Sequence, residues 1–135
     1  MRVLIDTNVL IDYVDHRLPY FDNAQSIFDM CSNNKVSEYI SAHSVLDICY
    51  ILRKMPLEDR LTVLSGICKI FDIISVDKAK ILSALNSKGF KDMEDCVISE
   101  CALSVKADYI ITRNIKDFAN SAVKPILPED FLQMF

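Results

Sequence analysis

The chain has 135 residues, 51% of them hydrophobic and 25% charged, with only two glycines and four prolines. That length fits a single domain, 1–135, with little room for a second, and the composition excludes long disordered or linker segments. The net charge of −4 argues against broad, sequence-blind binding to nucleic acid, which uses a basic face, but not against acids gathered around a divalent metal that cancels their charge locally.

The chain opens on a short apolar strand, Val3-Leu4-Ile5, with Arg2 and Asp6 placing charges too early for a signal peptide. A polar turn, Asp6-Thr7-Asn8, leads into a helix carrying Val9, Leu10, Tyr13 and Val14. A second helix is expected from about Tyr20 to Cys31, with Ala24, Ile27, Phe28 and Cys31 on one face. Asn33-Asn34 signals a turn and Tyr39-Ile40 a short strand. Ser41 or Ser44 is the candidate cap of the next helix, which is expected to run to about Lys54. Pro56 starts another, with Leu57, Leu61, Leu64 and Cys68 at helical spacing. Ile73 to Val76 reads as a strand, Asp77 as the cap of a following helix, and Gly89 as that helix's C-terminal cap. Asp92 caps a helix containing Val97, Ile98, Cys101, Ala102 and Val105. Tyr109 to Thr112 is a buried strand, Arg113 to Asp117 a polar loop, Val123 to Leu127 a last strand, and Pro128 opens a short final helix.

Strands separated by helices predict an α/β protein with a mostly parallel sheet. Functional sites in such sheets lie at the carboxyl ends of strands, which selects Asp6 and the segment Thr112 to Asp117. No apolar run is long enough to span a membrane, because charges interrupt each one. The five cysteines are scattered through apolar helical patterns without a Cys-x-x-Cys pair, so they read as small core side chains rather than zinc ligands or disulfides. A cytoplasmic location is the expectation.

Asp6 has two readings: a carboxylate facing the crevice at the sheet edge, where oxygen ligands hold hard cations, or a helix N-cap. Asp47 lies inside Ser44-Val45-Leu46-Asp47-Ile48-Cys49-Tyr50-Ile51-Leu52. An acid among apolar neighbours in a helix is costly unless solvated, paired or metal-bound; its alternative is a wet helix face beside His43, four residues earlier. Asp92, Glu94 and Asp95 cluster at one helix start, where capping and the helix dipole account for them and where they are also placed to hold a cation. Thr112, Arg113, Asn114 and Asp117 bring a hydroxyl, an amide, a carboxylate and cations to one loop that either serves a metal and phosphate or is an ordinary polar connection. His16 and His43 show no ligand-like partner spacing and read as surface or helix-face residues.

The order of these segments resembles the PIN-domain ribonucleases, in particular the VapC-type toxin nucleases of bacterial toxin–antitoxin pairs. Val3 to Leu10 is similar to that family's first motif, Asp47 to its mid-chain helical acid, Asp95 within Asp92 to Ile98 to its third acid, and Ala107 to Phe118 to its last motif. The resemblance covers nearly the whole chain. It implies a PIN-like three-layer α/β/α fold with a mostly parallel central sheet, and cleavage of RNA phosphodiester bonds with Mg²⁺ or Mn²⁺. Asp6, Asp47 and Asp95 are then the primary metal ligands and Asp117 a second-site or water-mediated one. Asn8, Thr112, Arg113, Asn114 and Asp92 orient ligands or substrate, Asp92 alternatively serving only as a cap. The resemblance also implies a cognate antitoxin and a homodimer. Two departures stand out: the helical acid is commonly Glu in that family and is Asp47 here, and Asn114 occupies a position often held by an acid. They motivate a rival reading, a catalytically silent PIN scaffold that binds protein or RNA. A receiver-like phosphoacceptor domain is a more distant rival, suggested by Lys124-Pro125 but lacking an acceptor acid after a middle strand: Asp77 reads as a cap.

Overall fold

The computed structural model describes all 135 residues, Met1 to Phe135. Five strands form one sheet: β1 (Arg2–Ile5), β2 (Ser37–Ser41), β3 (Asp72–Ile74), β4 (Tyr109–Ile111) and β5 (Lys124–Ile126). Their order is β3-β2-β1-β4-β5, and every pairing is parallel. The helices α1 (Thr7–Val14), α2 (Phe21–Ser32), α3 (Ala42–Ile51), α4 (Leu57–Ile70), α5 (Lys78–Asn86), α6 (Met93–Ser104) and α7 (Pro128–Leu132) supply the crossovers that parallel strands require. None is long and apolar enough to cross a membrane.

The apolar run of β1 explains the layering. Successive side chains of a strand point to opposite faces. Val3 and Ile5 enter a core shared with Val9, Leu10, Ile27, Phe28, Ile48, Ile67 and Phe131, on the side of α1 to α4 and α7. Leu4 enters the opposite core with Ile98, Cys101, Ala102, Ile110 and Phe118, against α5 and α6. A strand apolar on both faces belongs in the middle of a covered parallel sheet, and β1 is the central strand. Cys31, Cys96 and Cys101 are buried free thiols, and burial pushes Cys31 up to about 12 and Cys101 up to about 11, so these two stay protonated.

The chain winds outward from β1 through β2 to β3, then returns through α5 and α6 to place β4 on the other side of β1. This reversal makes the carboxyl ends of β1 and β4 the point where a crevice opens in a doubly wound sheet. The sheet ladder runs one residue past each strand there. Asp6 N–H donates to Ile111 O (2.9 Å) and Thr112 N–H to Ile126 O (3.0 Å), so both backbones are fixed by the sheet.

Element boundaries follow the expected capping. Asp77 accepts from Lys80 N–H and Asp92 from Glu94 N–H, and Ser41 rather than Ser44 caps α3, accepting from Ser44 N–H. Other details differ, among them the span of β3, which ends at Ile74 rather than Val76. α3 stops at Ile51 and not near Lys54. The loop after β4 tightens into a 3-10 turn over Ile115–Phe118, which returns Phe118 to the core. Gly89 is not the cap of α5, which ends at Asn86 because Ser87 is already extended (φ −80°, ψ 145°). Gly89 instead sits at φ +90°, a conformation that suits glycine. Its carbonyl accepts from Asn120 Nδ2 at 2.6 Å, and an added Cβ would lie 2.6 Å from that same amide nitrogen.

Candidate active site

Three helix starts converge at the β1–β4 reversal. Asp6 is the N-cap of α1, and its Oδ1 accepts the Thr7 N–H at 2.8 Å. Its other oxygen, Oδ2, accepts the Thr112 hydroxyl at 2.8 Å across the strand boundary. Asp6 is only 6% exposed and Thr112 is fully buried. The cap reading of Asp6 thus holds, and the same side chain sits at the sheet edge with its second oxygen held by Thr112.

Thr112 Oγ1 also accepts from Asn114 N–H (3.0 Å) and lies 3.4 Å from Asn8 Nδ2, while Asn8 Oδ1 lies 3.4 Å from Arg113 N. Asn8 thus ties the start of α1 to the end of β4. The Arg113 guanidinium does not enter the cleft. It grips Asp12 through Nε (2.6 Å) and a terminal nitrogen (3.2 Å) and stacks on Tyr20, 4.0 Å from the ring centre. Thr7 Oγ1 is 2.7 Å from Ser44 Oγ, which in turn lies 3.3 Å from Ser41 Oγ. That buried hydroxyl chain locks the first turn of α1 against the first turn of α3, and Asp47 lies one turn further along α3.

A cleft of about 280 Å³ opens here, lined by Asp6 and Asn8 from α1, Asp47 from α3, Asp92, Glu94 and Asp95 from the start of α6, and Asn114 and Asp117 after β4. The candidate residues from four separate segments thus share one cavity wall, Arg113 and Thr112 standing behind it. Arg17 also lines the cleft, with its guanidinium held by Asp15 at 3.0 Å.

Crowding acids in a partly dry cleft raises their proton affinity. Burial, opposed by the Thr112 and Thr7 hydrogen bonds and reinforced by Glu94 and Asp117, pushes Asp6 up to about 6. Burial and the charges of Asp6, Asp92, Asp117 and Glu94 push Asp95 up to about 7. Glu94 is raised by burial and by Asp47, partly offset by His43. Asp47 lies nearest His43 and Glu94: His43 Nε2 is 3.3 Å from Asp47 Oδ2 and 3.5 Å from Glu94 Oε1.

The acid cluster at the start of α6 already included Glu94 as placed to hold a cation, but the ligand set implied by the family resemblance did not, since the helix dipole accounts for an acid in a first turn. Sequence reasoning passed over Asp12 and Arg17, and saw Asp47 but not Glu94 beside His43. Asp12 did carry a signal, since it interrupts an apolar helical run just as Asp47 does. The donor set of the cleft is all oxygen: carboxylates, side-chain amides and hydroxyls, with no thiolate. That is the set preferred by hard divalent cations such as Mg²⁺ and Mn²⁺, and the proton affinities of Asp6 and Asp95, raised first by burial and then by neighbouring acids, mark carboxylates whose charge such a cation would offset.

No curated protein matches the chain. Solved structures with a similar fold include VapBC2 from Rickettsia felis bound to a DNA fragment from its promoter (20% identity, TM-score 0.65, covering 94% of this chain and 98% of that one). FitAcB from Neisseria gonorrhoeae is similar over 94% of this chain and 98% of its own (20% identity, TM-score 0.66). VapBC-1 from nontypeable Haemophilus influenzae is similar over 96% and 99% (15% identity, TM-score 0.68). The family model described as PIN domain matches residues 2–116, which spans every cleft residue except Asp117, and the chain therefore belongs to the PIN-domain family.

Proposed function

We propose that this chain is a metal-dependent endoribonuclease that hydrolyses RNA phosphodiester bonds, the toxin of a toxin–antitoxin pair acting in the cytoplasm. The observation that carries the reading is the cleft at the β1–β4 reversal, where Asp6 and Asp95 are pushed up to about 6 and about 7 by burial and by one another's neighbours. Perturbed carboxyls in a cleft are a functional signature when no ordinary ion pair explains them, and neither side chain has a cationic partner.

Asp6, Asp95, Asp117 and Asp47 would hold Mg²⁺ or Mn²⁺, with Glu94 a further candidate. When bound, such a cation acidifies water and stabilises negative charge on a phosphodiester. The chain's own residues supply the rest. Thr112 fixes the orientation of Asp6 through its hydroxyl, and Asn8 and the Arg113 and Asn114 backbones hold Thr112 in turn. Supporting groups of this kind set the geometry and basicity of ligands. Asp92 aims the first turn of α6, and so Asp95, by capping it. Arg17 is the cation nearest at hand for a substrate phosphate, its present partner Asp15 being an exposed and weakly held one.

A cleft this acidic also suits the Arg or Lys side chains of an inhibitory partner, which is the chemistry expected of an antitoxin; the similar solved structures include toxin–antitoxin assemblies with promoter DNA. A homodimer remains part of the proposal. The test is calorimetry of Mg²⁺ and Mn²⁺ binding beside RNA cleavage, for wild type, Asp6→Asn and Asp95→Asn. Metal binding and cleavage lost together in both variants support the nuclease. A wild type that binds neither ion at millimolar concentration, yet still engages a protein partner, favours the silent scaffold.

A further inference from the structure

Asp47 and Glu94 face two ways. Both line the acidic cleft, and both also meet His43, which lies outside it, in a group whose donor atoms, one imidazole nitrogen and two carboxylate oxygens, all lie within 4.8 Å of one another. His43 and Asp47 are four residues apart on α3, so helical geometry holds them side by side, and Glu94 meets them from the first turn of α6. Both helix starts are pinned by side-chain caps, Ser41 and Asp92. His43 Nε2 points at the two carboxylates, and neither ring nitrogen has any other hydrogen-bond partner. Two carboxylates and an imidazole nitrogen converging on one spot form a half-built coordination sphere.

The surroundings differ from those of the cleft. On its far side the group borders an apolar hollow of about 500 Å³ walled by Leu46, Val76, Ile81, Met93 and Val97. The imidazole changes the selectivity: Mg²⁺ prefers oxygen, whereas Zn²⁺ favours a mixed nitrogen and carboxylate set.

We propose that His43, Asp47 and Glu94 form a zinc-class transition-metal site beside the acidic cleft, and that filling it withdraws Asp47 and Glu94 from the cleft and lowers its activity. The binding half stands on the geometry alone; the inhibitory half rests on the nuclease reading above.

Zinc affinity measured by competition with a chromophoric chelator, in a Cys68→Ser background that removes the exposed thiol, tests the site. The expected result is one zinc per chain in the otherwise wild-type protein. His43→Gln should weaken it by about a hundredfold, at or beyond the limit for losing a merely supporting group, while Asp6→Asn leaves it within a few fold. Co²⁺ should give an absorption spectrum typical of nitrogen and oxygen ligands that His43→Gln abolishes. Equal zinc affinity in His43→Gln, or zinc lost instead in Asp6→Asn, would place the ion in the acidic cleft and overturn the proposal, as would no binding at micromolar zinc. For inhibition, the readout is the ratio of Mg²⁺-supported RNA cleavage with and without zinc, which should fall in the wild type and stay near one in His43→Gln. Should no RNA be cleaved under any metal while zinc binding follows His43, the nuclease reading fails and the zinc site survives.

Discussion

Replacing Asp6 by Asn should make the metal-free protein more stable. Asp6 is 6% exposed and its carboxyl is pushed from 3.8 to about 6 by burial, with Glu94 and Asp117 adding to it. A carboxyl that holds its proton more tightly in the folded chain than in the unfolded one makes stability fall as pH rises from about 3.8 to about 6, and the loss is complete above that. At about 1.36 kcal/mol per tenfold change in proton affinity, the ionised carboxylate costs the fold about 3 kcal/mol at neutral pH. Asparagine removes the charge, and its oxygen can still accept from Thr7 N–H. Its amide nitrogen, however, meets Thr112 Oγ1, which already accepts from Asn114 N–H, and rearranging that hydroxyl costs about 1 kcal/mol.

The net gain is about 2 kcal/mol, a rise of about 6 °C in Tm for a chain of this size. Thermal unfolding followed by circular dichroism in a chelator, at several pH values between 4 and 8, measures it. The variant should be slightly less stable than wild type at pH 4, by roughly 0.5 kcal/mol, with the sign reversing as pH rises and the full gain reached by pH 7. Adding Mg²⁺ should then raise the wild type and not the variant, because a ligand stabilises only a fold that binds it. A variant no more stable than wild type at pH 7, or a gap that does not change with pH, would refute the assignment of Asp6 as a buried, uncompensated charge.

The Asp12–Arg113 pair should behave oppositely. Asp12 is 1% exposed and its forked contact with Arg113 is its ion pair, so Arg113→Met strands a buried carboxylate and should cost about 3 kcal/mol or more in chemical denaturation; the double variant Asp12→Leu with Arg113→Met should recover most of it. Thr112→Val removes the hydroxyl that lowers the proton affinity of Asp6. Mg²⁺ affinity by calorimetry should fall ten- to a hundredfold, roughly the effect of losing a ligand's supporting partner, and the deficit should be larger at pH 6 than at pH 8, because the Asp6 proton then competes more strongly. An equal deficit at both pH values would rule out that mechanism.

How much of this was legible in the sequence depends on range. β1 is readable because three consecutive apolar residues fill cores on both faces, and its neighbour Asp6 because a polar cap follows directly. The caps Asp77 and Asp92 obey local rules and fall where expected. Gly89 misled because the same residue that ends helices also serves a close approach, here to Asn120, 31 residues away. Glu94 was visible as one of three acids at a helix start, but its place in the first helical turn gave it a sufficient local explanation and kept it out of the assigned ligand set. The pairs Asp6–Thr112 and Asp12–Arg113 join positions 106 and 101 residues apart, and only the return of the chain to β1 creates them. Arg113 illustrates the limit: a cation in a site loop suggested phosphate contact, but its guanidinium is committed to Asp12 and only its backbone faces the site. His43 shows the same limit, since its local partner Asp47 was visible at helical spacing and its distant partner Glu94 was not.

Asp6 and Asp12 lie on the same short stretch of chain, both buried, and they separate two uses of a buried acid. Asp12 is neutralised by a forked guanidinium, so its charge is part of what holds α1 to the loop after β4. Asp6 receives hydrogen bonds but no cation, and Asp95, Asp117 and Glu94 surround the cleft with more negative charge. The positive ends of α1 and α6 both open onto that cleft and offset some of the repulsion, but the proton affinities stay raised, so the compensation is incomplete. A fold under no functional demand would lose these acids readily, because neutralising Asp6 stabilises it. The sign of the stability change on neutralisation therefore sorts the acids of this chain. A loss, as for Asp12, marks a carboxylate that serves the fold. A gain that vanishes when Mg²⁺ is present marks one whose cost is met by a ligand, and Asp6 and Asp95 are the two residues at which that gain should appear.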